Sequence, residues 1–218
     1  MDTVKARKSM VDSQVRPNDV PDIHLQVAME TVPREIFVPA NKRALAYVEM
    51  DVPLFDGRWL LKARDFSKLI HAAKIKPTDL VLDVGCGYGY SAAIMAHLAS
   101  VVVGVEANAE AIEKAEQVLA DLALDNVAMV QGDLPAGVPS QGPFDVIVVA
   151  GGVTTGLEPL LQQLRPDGGR LVTIIVKKGV GVATLITRSG DSFGHLPLFE
   201  AHPSGILPGF EAPATFQF

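Results

Sequence analysis

At 218 residues the chain is long enough for one well-buried core and short for two full α/β domains. Hydrophobic residues make up 48% and charged residues 20%, which excludes a disordered chain, and the net charge of −6 argues against broad nucleic-acid binding. Cys86 is the only cysteine, so an intrachain disulfide is excluded; this fits a reducing cytoplasm.

The N-terminal stretch mixes Asp2, Lys5, Arg7 and Lys8 with no apolar run behind them, unlike a secretory signal. The longest apolar runs, such as Val146 to Ala150, are strand length, far below the roughly 20 residues that a membrane span needs. No membrane partner is expected. Residues 1–76 carry short helical patterns at 21–31 and 66–74, punctuated by Pro17, Pro21, Pro33, Pro39 and Pro53. We read them as a helical cap with a loop, laid over a core at 77–218 to make a single domain. The charge divides the same way, with 13 Lys/Arg and 10 Asp/Glu in residues 1–76 against 6 and 15 in residues 77–218.

From Asp79 onward, β-branched runs alternate with amphipathic ones, the pattern of βαβ units around a parallel sheet. Strands are expected at 80–84, 101–105, 127–131, 145–149, 170–176, 181–187 and 214–218, and helices at 90–99, 108–123 and 156–164. In 108–123, Ala111, Ala115, Val118, Leu119 and Leu122 recur at helical spacing behind Asn108, a suitable N-cap. Pro166 and Gly168-Gly169 stop the last helix. The run "KKGVGVATLITRSG" has no crossover helix before it, which predicts an antiparallel hairpin at the end of a seven-stranded, mostly parallel sheet with helices on both faces. The closing segment "LFEAHPSGILPGFEAPATFQF" is expected to supply a last strand and a flap.

Four features fall in order at strand ends. They are "VLDVGCGYGYSAA" with Gly85, Gly87 and Gly89, then Glu106, then Gly132-Asp133, and then "FDVIVVAGG". In an open parallel sheet the carboxyl ends of the strands share one crevice, and a carboxylate about 20 residues after a glycine loop can accept both hydrogen bonds of a ribose diol. The ligand expected there is a nucleoside. A nicotinamide dinucleotide would call for G-x-G-x-x-G facing a pyrophosphate, but this loop reads G-C-G-Y-G with Asp83 two residues before it, an anion better suited to an ammonium. No P-loop sequence is present. Cys86, squeezed between glycines, is read as a small filler. The five histidines are scattered without metal-ligand spacing and are read as packing or surface residues.

The stretch "VLDVGCGYGYSAAIMAHLASVVVGVE" resembles motif I through the acidic ribose position of class I S-adenosylmethionine-dependent methyltransferases. Together with "VPREIFVP", "AYVEMDVPL" and "LLQQLRPDGGRLV", it is similar to the protein-L-isoaspartate O-methyltransferase family over roughly residues 10–190. The resemblance implies a Rossmann-like fold and S-adenosyl-L-methionine as cofactor. Asp83, Gly85, Cys86, Gly87, Tyr88 and Gly89 would lie along its methionine part, Glu106 and Ala107 at the ribose, Gly132 and Asp133 at the adenine, and Ala150 at the fourth strand end. It also implies a cytoplasmic enzyme, monomer or homodimer, acting on isoaspartyl-containing polypeptides. The family's Thr-Ile-Ser before a proline is replaced here by "DGRWLLKARDF", which sets Leu61 where the family has its serine and Ala63 where it has the proline. Arg58, in the same stretch, is able to hold a carboxylate bidentately. Two alternatives stay open on the sequence: the same cofactor with another acceptor, and a cofactor-binding homologue without transferase activity.

Overall fold

A computed structural model describes residues 2–212. The chain begins with α1 (Thr3–Met10), capped by the Asp2 side chain, which accepts from the Lys5 amide. A π-helical turn at Val11–Val15 prolongs it. After α2 (Ile23–Thr31), a minimal antiparallel hairpin joins β1 (Val52–Pro53) to β2 (Trp59–Leu60), and α3 (Ala63–Ala73) follows.

The core then alternates β3 (Leu80–Val84), α4 (Tyr90–Ala96), β4 (Val101–Glu106), α5 (Ala109–Asp121), β5 (Val127–Gln131), β6 (Val146–Val153) and α6 (Glu158–Gln162). It ends in the meander β7 (Asp167–Lys177), β8 (Val180–Ser189) and β9 (Ser192–Glu200). The seven-stranded sheet has the order β5-β4-β3-β6-β7-β8-β9. The first five strands in that order are parallel, and β8 and β9 are antiparallel to their neighbours. Strand order reverses at β3, so the crevice for a ligand lies beyond the carboxyl ends of β3, β4 and β6.

Side chains two apart on a strand share a face, and the core divides accordingly. Val81, Val102, Val146, Val148 and Val172 pack under α1 to α5, while Leu82, Val103, Ile147, Val149 and Leu171 pack against Leu160 and Leu161 of α6 and against Phe144 and Phe210. Helices therefore cover both faces, unequally. The N-terminal helices share a core with the sheet, as a cap would.

Two elements were not expected, the helix at 3–10 and the strand β9 over most of its length. The helix at 3–10 is too polar to show an apolar stripe in the sequence, and its cap is what marks it. The seventh strand is β9: a tight turn at Gly190, with φ of +61°, returns the chain so that Ser192 pairs Ser189. β9 is an edge strand, which is why Pro197 is tolerated in it. The strand expected at 214–218 lies outside the described residues.

Candidate functional site

β3 delivers the chain into the loop at 85–89, where Gly85, Gly87 and Gly89 all have positive φ, at +72°, +57° and +93°. Gly85 shows why glycine is needed. Its φ disfavours any L side chain, and a Cβ there would stand 2.7 Å from the Arg58 guanidinium. The Gly85 amide donates to the Val105 carbonyl at 2.9 Å, and the Gly89 amide to the Cys86 carbonyl at 2.9 Å.

Glu106, at the end of β4, is buried and closes the loop from beneath. Its Oε2 accepts from the Gly87 amide at 2.9 Å and its Oε1 from the Ala107 amide at 2.9 Å. The outer lone pairs meet Arg58, whose Nη1 lies 3.0 Å from Oε2 and 3.1 Å from Oε1. Nη2 of the same guanidinium donates to the Gly85 carbonyl. Arg58 is only 4% exposed, and its Nε has no partner.

Asp83 is fully buried and accepts from the Ser91 hydroxyl at 2.5 Å, with its other oxygen unpartnered. Burial pushes its carboxyl up to about 7, against the Ser91 hydrogen bond and the Arg58 charge that pull it down. Cys86 is buried with its thiol toward the Val105 carbonyl, and burial pushes that thiol well above its ordinary range, followed by the charges of Asp83 and Glu106. This is a filler, not a nucleophile.

Two hollows flank Arg58. One, of about 270 Å³, is lined by Phe55, Glu106, Ala107, Asn108, Leu134 and Pro208. The other, of about 20 Å³, is lined by Trp59, Leu61, Gly85, Cys86, Ser91 and Ala150. The structure thus sets Leu61, Gly85, Cys86 and Ala150 around the smaller hollow and Arg58, Glu106 and Ala107 around the larger, with Asp83, Gly87 and Gly89 in the strand end and loop beside them. Tyr88 stands at the loop's outer side, with its ring 5.0 Å from Phe55 and the Lys114 Nζ 3.6 Å from the ring centroid. The Gly132 amide donates to the Glu106 carbonyl, and the Asp133 side chain is exposed beyond the larger hollow. A hollow of about 520 Å³ between α5 and β5 lies away from the loop and is lined mainly by aliphatic residues, among them Leu119, Leu124, Val127 and Met129.

Arg58 sits differently from the sequence expectation: it holds a carboxylate, but that of Glu106, not an acceptor's. Sequence reasoning also passed over Leu134 and Pro208, which wall the larger hollow, and Arg34. The latter is buried under Tyr90 and donates to the carbonyls of Ala46 at 2.7 Å and Leu61 at 2.6 Å, fixing the backbone at both. Pro208 arrives because residues 201–212 cross back over the end of β6, where the Leu207 amide donates to Gly152 at 2.8 Å and the Thr154 amide to Phe210 at 2.9 Å. The repeated Pro and Gly of "HPSGILPGF" are the only sequence signal of that path.

Residues 6–195 match the sequence profile of the family described as Protein-L-isoaspartate(D-aspartate) O-methyltransferase (PCMT). The protein-L-isoaspartate O-methyltransferase of Roseiflexus castenholzii is 32% identical over 192 residues, 88% of this chain and 87% of that protein. That of Koribacter versatilis is 37% identical over 166 residues, 76% of this chain and 74% of that protein. A solved structure of a protein-L-isoaspartate O-methyltransferase superposes with a TM-score of 0.78 at 24% identity, over 95% of this chain and 67% of that one, and supports the fold. On the profile and on relatives that share about a third of its residues over most of their length, this chain belongs to the protein-L-isoaspartate(D-aspartate) O-methyltransferase family.

Proposed function

We propose that the chain transfers a methyl group from S-adenosyl-L-methionine to the carboxylate of isoaspartyl residues in damaged polypeptides. The observation that carries this reading is the bare, left-handed backbone at 85–89 closed by Glu106 at the reversal point of the sheet. The residues fit the cofactor. Gly85 keeps bare main chain where a side chain would strike Arg58, the Glu106 carboxylate suits a sugar diol, and the unpartnered oxygen of Asp83 is a buried acceptor for a cationic group. Leu134, Pro208 and Ala107 offer apolar walls for a flat base.

Bound there, the cofactor supplies a methyl group on a positively charged sulfur, an electrophile that an ionised carboxylate attacks with no proton to move. The protein's part is alignment and exclusion of water. Leu61, Trp59 and Ala150 make the small hollow apolar, and Arg34 holds Leu61 by its carbonyl. A hydroxyl at position 61 is not demanded by this chemistry, because a carboxylate with a pKa near 4 is already deprotonated at pH 7. No helix among the described residues is long and apolar enough to cross a membrane. The reading carries with it a cytoplasmic enzyme working as a monomer or homodimer.

The test is methylation of an isoaspartyl peptide with labelled cofactor, beside its normal aspartyl twin. Label in the first alone is expected. Label in neither, with cofactor binding intact, would transfer the cleft to another acceptor or to a binding role.

A further inference from the structure

Arg58 stands at the tip of the β1–β2 hairpin, and its position raises a question of access. Its guanidinium fills the space beside Gly85 and takes the outward lone pairs of Glu106, the two places that a nucleoside ligand needs. Gly85 lines the smaller hollow and Glu106 the larger, and the guanidinium bonds to both residues. The larger hollow, at about 270 Å³, falls just short of the roughly 300–1,000 Å³ of small-molecule sites, and withdrawing Arg58 from its lining would enlarge it.

We propose that Arg58 is an exchangeable ligand: it holds Glu106 and the Gly85 carbonyl in the free protein, yields both to the cofactor, and then holds the acceptor's carboxylate. This rests on the transferase reading above. Three observations support it. The chemistry of the swap balances, because a sugar diol offers two O–H donors to the oxygens that Arg58 leaves, and the cofactor's sulfonium and ammonium replace the departing cation near Asp83 and Glu106. The hairpin is small: it has two strand pairs, Val52 with Leu60 and Pro53 with Trp59, and Asp56 and Gly57 at its tip have φ of +40° and +71° with open space around Gly57. Finally, Arg58 is the one cation among the described residues lining either hollow, and the unpartnered Nε leaves it a donor to spare. An acceptor carboxylate entering beside Leu61 has no other positive side chain to meet. The exchange makes the order of binding compulsory, cofactor before acceptor.

The direct probe is S-adenosylhomocysteine, with affinity measured by calorimetry on the wild-type chain and on Arg58→Ala. Removing the internal competitor is expected to tighten binding at least about tenfold, the gain when nine molecules in ten or more hold the arginine in place. In the same variant the KM for an isoaspartyl peptide should rise at least about tenfold, while kcat at saturating peptide changes less. Trp59, the only tryptophan and the next residue along, should change its emission when the probe saturates the wild-type protein. If Arg58→Ala is insoluble, Arg58→Gln serves, since its amide still donates to Glu106 and a smaller gain is expected. Equal or weaker probe binding in the variants, or an unchanged Trp59 spectrum at saturation, overturns the exchange and leaves the transferase reading standing. Failure of every form to bind the probe overturns both.

Discussion

The two walls of the cleft are made differently. The glycine-loop wall is main chain held by near neighbours: the Gly85 amide on Val105, the Gly89 amide on Cys86, and Gly87 on Glu106. The hairpin wall opposite is held by single side chains that reach across the molecule. Asp51 accepts from the amides of Lys62 and Ser204, both at 2.8 Å, Arg34 fastens Leu61, and Arg58 fastens Glu106. A wall of backbone keeps its shape when surface residues change. A wall hung on individual side chains changes with each of them.

The largest effect should come where the walls meet. Glu106→Gln leaves the Arg58 guanidinium buried without its countercharge, and breaking a buried pair from one side costs about 4 kcal/mol. For a chain of this length the melting temperature should fall by about 10 °C. The double variant Arg58→Met with Glu106→Gln should recover most of that, because no charge is then stranded. Additive losses in the double variant would show that the two side chains do not act as a pair and that the walls are independent.

Asp51→Ala attacks the hairpin wall alone. Two amides lose a charged acceptor, at a cost of about 2 kcal/mol in urea unfolding. Affinity for S-adenosylhomocysteine should stay within about threefold, as expected for sites without shared partners. A larger loss of affinity would mean that the glycine loop leans on the hairpin after all.

The same contrast explains what was legible in the sequence. The parallel strands announce themselves as β-branched runs, and Gly85, Gly87, Gly89 and Glu106 fall at fixed offsets from two of them, because main-chain geometry demands those residues locally. Neither β1 nor β2, two residues each, is long enough to show a period. The contact of Asp51 with Ser204 spans 153 positions and leaves no local trace. Arg58 was visible as a cation in a divergent stretch, but that it reaches Glu106 follows only from how the hairpin folds over β3 and β4. Most of β9 was passed over because Gly194 and Pro197 break up its run "SFGHLPLFE" at the sheet edge.

Within the glycine-loop wall one side chain departs from the rule, and its effect should be the smallest and the most specific. Asp83 has its carboxyl pushed up to about 7 by burial, against about 3.9 in an unfolded chain. Between those values the folded protein keeps a proton that the unfolded chain has lost. The stability this gives is complete below pH 4 and disappears as pH rises through 7, the reverse of the usual ion-paired aspartate. Across pH 6 to 8 the mean occupancy is about half a proton, so wild-type stability should fall by about 1.4 kcal/mol relative to Asp83→Asn, whose amide does not titrate. Urea unfolding of both proteins at pH 6, 7 and 8 measures it. Parallel curves would show that Asp83 is ionised throughout, compensated by Ser91 and Arg58, and the wall would then carry a permanent negative charge beneath its glycines.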